Sequence, residues 1–240
     1  MLRFSFHGLA DLKRALLADA PSPEPTPSTR LSATLRHAKT PTDVLDHVLD
    51  VHRAALDAAR ANLDERFPAA VALLGAAERI VLSGTGPSAA VAHYAAVLLG
   101  RVGRPATTIT ATGVSMADQA LALRHGDALL LLAYTRLYAH AAILLDLARR
   151  RRIPVLLITD VLTDVDGVHL TLSCPRGLPA EQSSHAITVL LLEAIAVALA
   201  AADRSRATTT LRELNRLRGE LLGAPADVDA PDDEPRGGQP

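Results

Sequence analysis

The segment 83–88, SGTGPS, has the residue types of an anion-binding loop. It follows the apolar run 80–82 and precedes the alanine-rich segment 89–99, which is the order of a strand, a tight turn and a helix. Glycines let backbone N–H groups approach a ligand, and a helix start adds the positive end of its dipole. The pattern favours a phosphate, and a tight turn without a ligand is the alternative. The predicted ligand-binding residues here are Ser83, Gly84, Thr85, Gly86 and Ser88.

Two side chains capable of acid–base chemistry, Glu181 and His185, are spaced to lie on one face at the start of a predicted helix over 181–202. Either could serve as the base that moves a proton between neighbouring carbons in an aldose–ketose isomerisation. The alternative is structural: Glu181, Gln182 and Ser183 cap the helix, and His185 is a polar residue with satisfied hydrogen bonds.

Metal and cofactor chemistry has little support in the sequence. The nine histidines are scattered and show neither an H-x-x-E-H motif nor a Cys/His spacing, so we predict no metal site and no cofactor. The single cysteine, Cys174, excludes an intrachain disulfide, and we expect it to be a small buried residue near a strand end. The arginine run 149–152 ends a predicted helix, where the dipole favours cations; contact with a phosphate backbone is the alternative.

The composition limits the classes of partner. Hydrophobic residues make up 49% of the chain but aromatic residues only 2%, with no Trp, so the core is aliphatic and aromatic stacking on single-stranded nucleic acid is disfavoured. A net charge of −1 gives no general attraction to DNA or to anionic membranes. The most apolar stretch, 186–202, is short for a membrane span and has Glu193 at its centre. With no visible secretory signal, the sequence predicts a cytoplasmic protein without membrane contact.

Short apolar runs alternate with helical segments, which predicts an α/β fold with three αβα layers, a parallel sheet of about five strands and a helical N-terminal lead. In such sheets ligands bind at the carboxyl ends of the strands, where 84–88, 110–115 and 134–140 should converge and 179–185 could close the cleft. The predicted strands are 80–83, 106–110, 128–133, 153–159 and 168–172. The predicted helices are two within 41–77, then 89–100, 114–123, 139–152, 181–202 and 207–222.

The ends of the chain differ in composition from its middle. Residues 1–20 end in a short amphipathic pattern, and 21–40 contain a proline-rich stretch that we interpret as a linker. The main domain with its flanking helices is expected over 41–222. The acidic, proline-rich tail 223–240 is predicted to be disordered.

This order of pieces resembles the SIS domain, a sugar-isomerase and sugar-phosphate-binding module, over about residues 42–202. It is most similar to the sensor half of MurR/RpiR-family transcription regulators. Gly84, Gly86 and Ser88 match the first loop of the family, while Gly126-Asp127 and Ile158-Thr159 match later landmarks. The resemblance implies a sugar-phosphate ligand. It also implies that Glu181, Ser183 and His185 touch the ligand without catalysis, the role we prefer.

A second loop departs from the family. SIS domains resemble S-x-S-G-x-T there, and those groups hold the sugar phosphate. This chain has AYTRLY over 133–138, in which Thr135 keeps a hydroxyl and Arg136 stands in place of the glycine. Arg136 could supply a bidentate phosphate clamp, or the site has lost phosphate binding.

The N-terminal segment 8–16, GLADLKRAL, resembles the end of the helix-turn-helix domain of RpiR regulators. The recognition helices that would precede it are absent, so the natural start lies upstream or the DNA reader has been lost. We therefore expect DNA binding only with an upstream reader or a partner.

Three functions follow. The first is a MurR/RpiR-like regulator, or its truncated sensor half, that binds a phosphorylated sugar or related carbohydrate derivative. The second is a stand-alone sugar-phosphate isomerase that uses Glu181 or His185. The third is an interaction domain without a ligand. The apolar helices suggest a homodimer or homotetramer.

Overall fold

The computed structural model describes residues 26–36, 39–63, 66–178 and 181–223. Its sheet has five strands, all parallel, in the order β2-β1-β3-β4-β5. The strands are β1 (Arg79–Ser83), β2 (Ala106–Ile109), β3 (Asp127–Leu132), β4 (Val155–Thr159) and β5 (Leu170–Ser173). The helices are α1 (Pro27–Leu35), α2 (Pro41–Leu63), α3 (Arg66–Gly75), α4 (Pro87–Arg101), α5 (Val114–Leu121), α6 (Ala139–Arg151), α7 (Ala186–Ala202) and α8 (Arg204–Leu222).

Each face of the sheet carries its own apolar core. Alternate strand residues point to opposite faces, so Leu130 and Ile158 join one core while Leu129 and Leu157 join the other. The first core is closed by side chains from the end of α2 and from α3, α4 and α7, and the second by side chains from α5 and α6. β3 and β4 are buried along their whole length, as their continuous aliphatic sequences predict. The predicted three-layer α/β fold is confirmed.

By the density of their contacts, the described residues divide into two compact units. The smaller unit contains residues 26–36, 39–53, 177–178 and 181–184. The larger unit contains the whole sheet, the part of α2 from Ala54 onward and the helices α3 to α8.

The segment 21–40, expected to be a linker, contains the helix α1. Pro27 occupies its first turn, where a missing N–H costs nothing, and the Thr26 hydroxyl accepts a hydrogen bond from Thr29 N at 3.2 Å. Proline density is therefore misleading here, because one of these prolines starts a helix. The helix-turn-helix-like residues 1–20 and the tail beyond Gly223 lie outside the described residues.

One buried ion pair joins the first residues of β1 and β3. Arg79 donates to Asp127 through Nε at 2.9 Å and through Nη2 at 2.7 Å. The Asp127 side chain is fully buried and also accepts from Arg124 N at 2.7 Å. The hydrogen bond to Asp127 raises the pKa of Arg79, so the guanidinium stays charged. This contact fixes the two strands whose opposite ends carry the candidate site.

Among the described helices, none is by itself both long and apolar enough to cross a membrane. The pair α7 and α8, bent by 110° at their junction, passes that test only when taken together.

Candidate functional site

The first loop leaves the carboxyl end of β1 and enters α4. Ser83 is buried and its hydroxyl donates to Ile109 O at 2.8 Å, so this hydroxyl ties β1 to the edge strand β2. Ser88 is also buried, and its backbone N–H donates to Thr85 O at 3.2 Å. The predicted strand, turn and helix are therefore all present, and they place residues 84–86 at the start of a fifteen-residue helix.

Both glycines of this loop are required by the backbone. A Cβ on Gly84 would lie 2.8 Å from the backbone oxygen of Ser88, closer than side chains approach. Gly86 is the N-cap residue of α4 and has a φ of +57°, a conformation that favours glycine. Because glycine carries no capping side chain, the N-terminus of α4 has no side-chain cap. Pro87 has no N–H, and the N–H groups of Ser88 and Ala89 donate to Thr85 O and Gly86 O, so the dipole of α4 is what favours an anion there.

The second loop leaves β3, the neighbour of β1, at the same edge of the sheet. Ser83 is level with Leu131 in the parallel pair, so the two loops depart side by side. Thr135 is half-buried, whereas Arg136 is exposed and its guanidinium carbon lies 5.4 Å from the ring centroid of Tyr138. The structure thus brings Thr135 and Arg136 to the same edge as the glycine loop.

A group of polar side chains that the sequence analysis missed lies at the ends of β3, β4 and β5. The Arg176 guanidinium carbon lies 3.9 Å from the ring centroid of Tyr134, and Arg176 Nε donates to Asp160 Oδ2 at 2.9 Å. Tyr134 is buried, and its hydroxyl shares a hydrogen bond of 2.8 Å with Thr188. Burial raises the pKa of the Tyr134 hydroxyl, so it stays protonated. No motif marks these residues, because their partners are distant in sequence.

Cys174 belongs to the same buried region and directly follows β5, as predicted. Its thiol lies 3.4 Å from the Thr188 hydroxyl, and burial raises its pKa to about 11. The thiol is therefore protonated near neutrality, which argues against a nucleophilic role.

His185 occupies the N-cap position of α7, in the larger unit. Its ring packs edge-on against Tyr134 at 5.2 Å between centroids, and its Nδ1 is buried without a partner among the described residues. Burial, and secondarily the charge of Arg176, lowers the pKa of His185. The neutral imidazole is therefore the stable form at neutral pH.

This lowered pKa predicts how stability depends on pH. The unfolded chain, in which His has a pKa of about 6.5, binds the proton more readily than the folded chain. The free energy of unfolding should therefore fall as pH decreases from 7.5 to 5.5. His185→Gln should flatten this dependence in urea titrations. His140, whose pKa burial also lowers, accounts for part of the remaining slope. An unchanged slope in His185→Gln would contradict the assignment.

The segment 181–184 is not helical, so the prediction that Glu181 and His185 share the first turn of a helix is wrong. α7 begins only at Ala186, and neither Glu181, Gln182 nor Ser183 caps it. Within the smaller unit these residues bond to α1 and α2 instead. The contacts are Glu181 Oε2 with His47 Nε2 at 2.8 Å, Thr34 Oγ1 with Gln182 N at 2.9 Å, Ser183 Oγ with Arg30 Nη1 at 3.1 Å and Ser184 Oγ with His52 Nε2 at 2.8 Å.

Of the predicted ligand-binding residues, the larger unit holds the glycine loop, Thr135, Arg136 and His185, whereas Glu181 and Ser183 lie in the smaller unit. In the described parts of the chain, no group of three or more His, Cys, Asp or Glu side chains is arranged to hold a metal ion.

Comparisons with known proteins agree with this architecture. Residues 73–165 match the family model of the SIS domain. The sugar isomerase domain of an RpiR transcription factor from Sphaerobacter thermophilus superposes with a TM-score of 0.60 at 23% identity, covering 70% of this chain and 97% of that one. The NanR protein of Vibrio vulnificus, solved with ManNAc-6P, gives 0.59 at 20% identity, covering 90% and 77%.

An enzyme shares the fold as well. The phosphoheptose isomerase GmhA of Neisseria gonorrhoeae gives a TM-score of 0.54 at 21% identity, covering 66% of this chain and 97% of that one. No curated protein sequence matches the chain. Regulatory and catalytic proteins therefore both share this fold.

Proposed function

We propose that this protein is a ligand-sensing domain of the MurR/RpiR regulator type, since residues 73–165 match the SIS domain model. It binds a phosphorylated sugar at the carboxyl edge of the sheet. The observation that carries this proposal is the glycine loop, whose two glycines are required by geometry at the uncapped N-terminus of α4. The superposition on a regulator solved with ManNAc-6P supports a ligand of this class.

The proposal assigns contact with the ligand, rather than catalysis, to His185. An isomerase needs a base within reach of the carbon-bound proton. The Glu181 carboxylate is already hydrogen-bonded to His47 within the smaller unit, so it is not an unengaged base. Its contact with His47 is therefore an argument against catalysis by Glu181.

His185 supports the second candidate function, a sugar-phosphate isomerase. Its lowered pKa keeps the ring neutral and able to accept a proton, and its Nδ1 lacks a partner among the described residues. In this alternative His185 is the catalytic base.

Self-association of the domain is part of the proposal. The exposed apolar residues Tyr94 and Val97 on α4, and Leu190 and Val197 on α7, follow helical spacings of three and seven residues. A hydrogen bond of 2.5 Å from the Tyr94 hydroxyl to Glu193 Oε1 joins the two helices along this line. Such an apolar stripe fits a homodimer or homotetramer in the cytoplasm. Contact with DNA is proposed only where an upstream reader or a partner supplies it.

Calorimetric titration with a panel of sugar phosphates and the parent sugars tests the proposal. We expect at least one sugar phosphate to bind at least about tenfold more tightly than its parent sugar, and no sugar phosphate to be isomerised. Turnover that is lost in His185→Ala would establish the isomerase instead. Failure of the whole panel to bind would refute the sensor function.

A further inference from the structure

Arg176 has the properties of a fixed cation. It lies at the carboxyl ends of the strands, as the glycine loop does. Only 13% of its side chain is exposed, and two different contacts hold it. Asp160 accepts a hydrogen bond from Nε, and the face of the guanidinium carbon lies over the Tyr134 ring. Among the described residues, none accepts a hydrogen bond from its two terminal nitrogens.

These terminal nitrogens remain accessible. A fully buried nitrogen without a hydrogen-bond partner occurs in Arg104, at Nε, but neither terminal nitrogen of Arg176 is of this kind. The two terminal N–H₂ groups therefore reach solvent while the rest of the side chain is held. A planar guanidinium held in this way offers two parallel donors to a tetrahedral or planar oxyanion.

Arg176 and the glycine loop lie at the same, carboxyl edge of the sheet. Arg176 follows β5, which is separated from β1 by β4 and β3. Its guanidinium nevertheless lies on Tyr134, two residues beyond the end of β3, which is the immediate neighbour of β1. The loop 84–88 itself contains no Lys or Arg, so any side-chain cation for an anion at the N-terminus of α4 comes from another element.

We propose, on the premise of the proposed sugar-phosphate function, that Arg176 binds the phosphate group of the ligand, with Tyr134 and Asp160 as its positioning residues. The ion pair with Asp160 fixes the direction of the two terminal N–H₂ groups, which form the donor fork of the guanidinium. The ring of Tyr134 packs against the guanidinium plane. Arg136, the arginine that the sequence suggests for this role, is exposed and has no comparable buried setting.

The first test uses inorganic phosphate as the probe, measured by isothermal titration at low salt. Arg176→Gln should weaken phosphate binding by at least about tenfold, since hydrogen bonds to a charged group are lost. Arg176→Lys keeps the charge without the fork and should fall between the two. The matched control Arg149→Gln removes an exposed arginine that pairs with Asp146 and should bind phosphate as the wild type does. Equal affinity in wild type and Arg176→Gln would overturn the proposal.

The sugar phosphate that binds best in the panel above separates the two proposals. If it binds the wild type and Arg176→Gln equally, the role of Arg176 is refuted while the sensor function stands. If Arg176→Gln weakens the sugar phosphate but not the parent sugar, Arg176 is assigned to the phosphate. Should Arg176→Gln not fold, Arg176→Lys carries the test: wild-type affinity for phosphate would refute the need for a fork.

A double-mutant cycle tests the positioning role. Asp160→Asn should weaken phosphate binding in the wild type but have little further effect in Arg176→Gln, because it acts through Arg176. Tyr134→Phe keeps the ring under the guanidinium and should retain phosphate affinity, although it loses the hydroxyl bond to Thr188. Additive losses for Asp160→Asn and Arg176→Gln would refute the coupling.

Discussion

Replacing Asp127 with Ala is expected to lower the free energy of unfolding by about 3 kcal/mol. Removing one partner of a buried ion pair leaves the other charge without compensation, and typical losses are about 3–5 kcal/mol. The lower end applies because Arg79 keeps 22% of its side chain exposed and can turn partly towards water. The substitution also deprives the Arg124 backbone N–H of its acceptor. Urea unfolding followed by circular dichroism measures the change.

Asp146→Ala provides the matched control for this prediction. Asp146 also pairs with arginines, Arg149 and Arg150, but its side chain is 43% exposed. Exposed pairs contribute about 0–1 kcal/mol, so the control should lose much less stability. If both variants lost the same amount, burial of the Arg79–Asp127 pair would not be the source of its effect.

Gly84→Ala is expected to abolish binding of the sugar phosphate and to destabilise the domain by about 1–3 kcal/mol. The new Cβ would meet backbone atoms of Ser88, and backbone cannot rotate away as a flexible side chain does. Relief requires α4 to move relative to β1, which displaces the helix N-terminus whose dipole favours the anion. Thermal unfolding and calorimetric titration of the same preparation measure both effects.

Gly86→Ala and Gly100→Ala divide this effect into its causes. A Cβ on Gly86 meets nothing within 4 Å, so only its φ of +57° resists the substitution, at about 1–3 kcal/mol. A Cβ on Gly100, inside α4, also meets nothing and has no unusual φ, so Gly100→Ala should be neutral or stabilise by up to about 1 kcal/mol. Loss of binding in Gly100→Ala would show that α4 itself, and not the loop, is sensitive.

The parts of the fold that could be predicted depend on local sequence. The runs 128–133 and 153–159 are continuously aliphatic because both faces of their strands are covered, and this pattern identifies β3 and β4. The loop between β1 and α4 was also predictable, because its glycines meet a backbone requirement within five residues. In both cases the physical cause is contained in the segment itself.

The rest depends on partners that are distant in the chain. Residues 181–185 look like the first turn of a helix, but bonds from Thr34, His47 and other residues of α1 and α2 satisfy this segment in a non-helical form. Arg176 stands in an irregular segment with no motif around it. Its side chain is held in place by Asp160 and Tyr134, which lie next to it only because the sheet brings the ends of β3, β4 and β5 together. A single sequence does not reveal such contacts.

The stacking of Arg176 on Tyr134 gives this protein an optical signal of its own. The chain has no Trp and only three Tyr, so tyrosine emission is not masked by energy transfer to an indole. Tyr134 lies under the guanidinium, and Tyr138 lies beside Arg136 at the same edge of the sheet. The third, Tyr94, lies on α4 and donates to Glu193. Tyr94→Phe would therefore leave a protein without an attached label in which both remaining tyrosines report on the loop that follows β3.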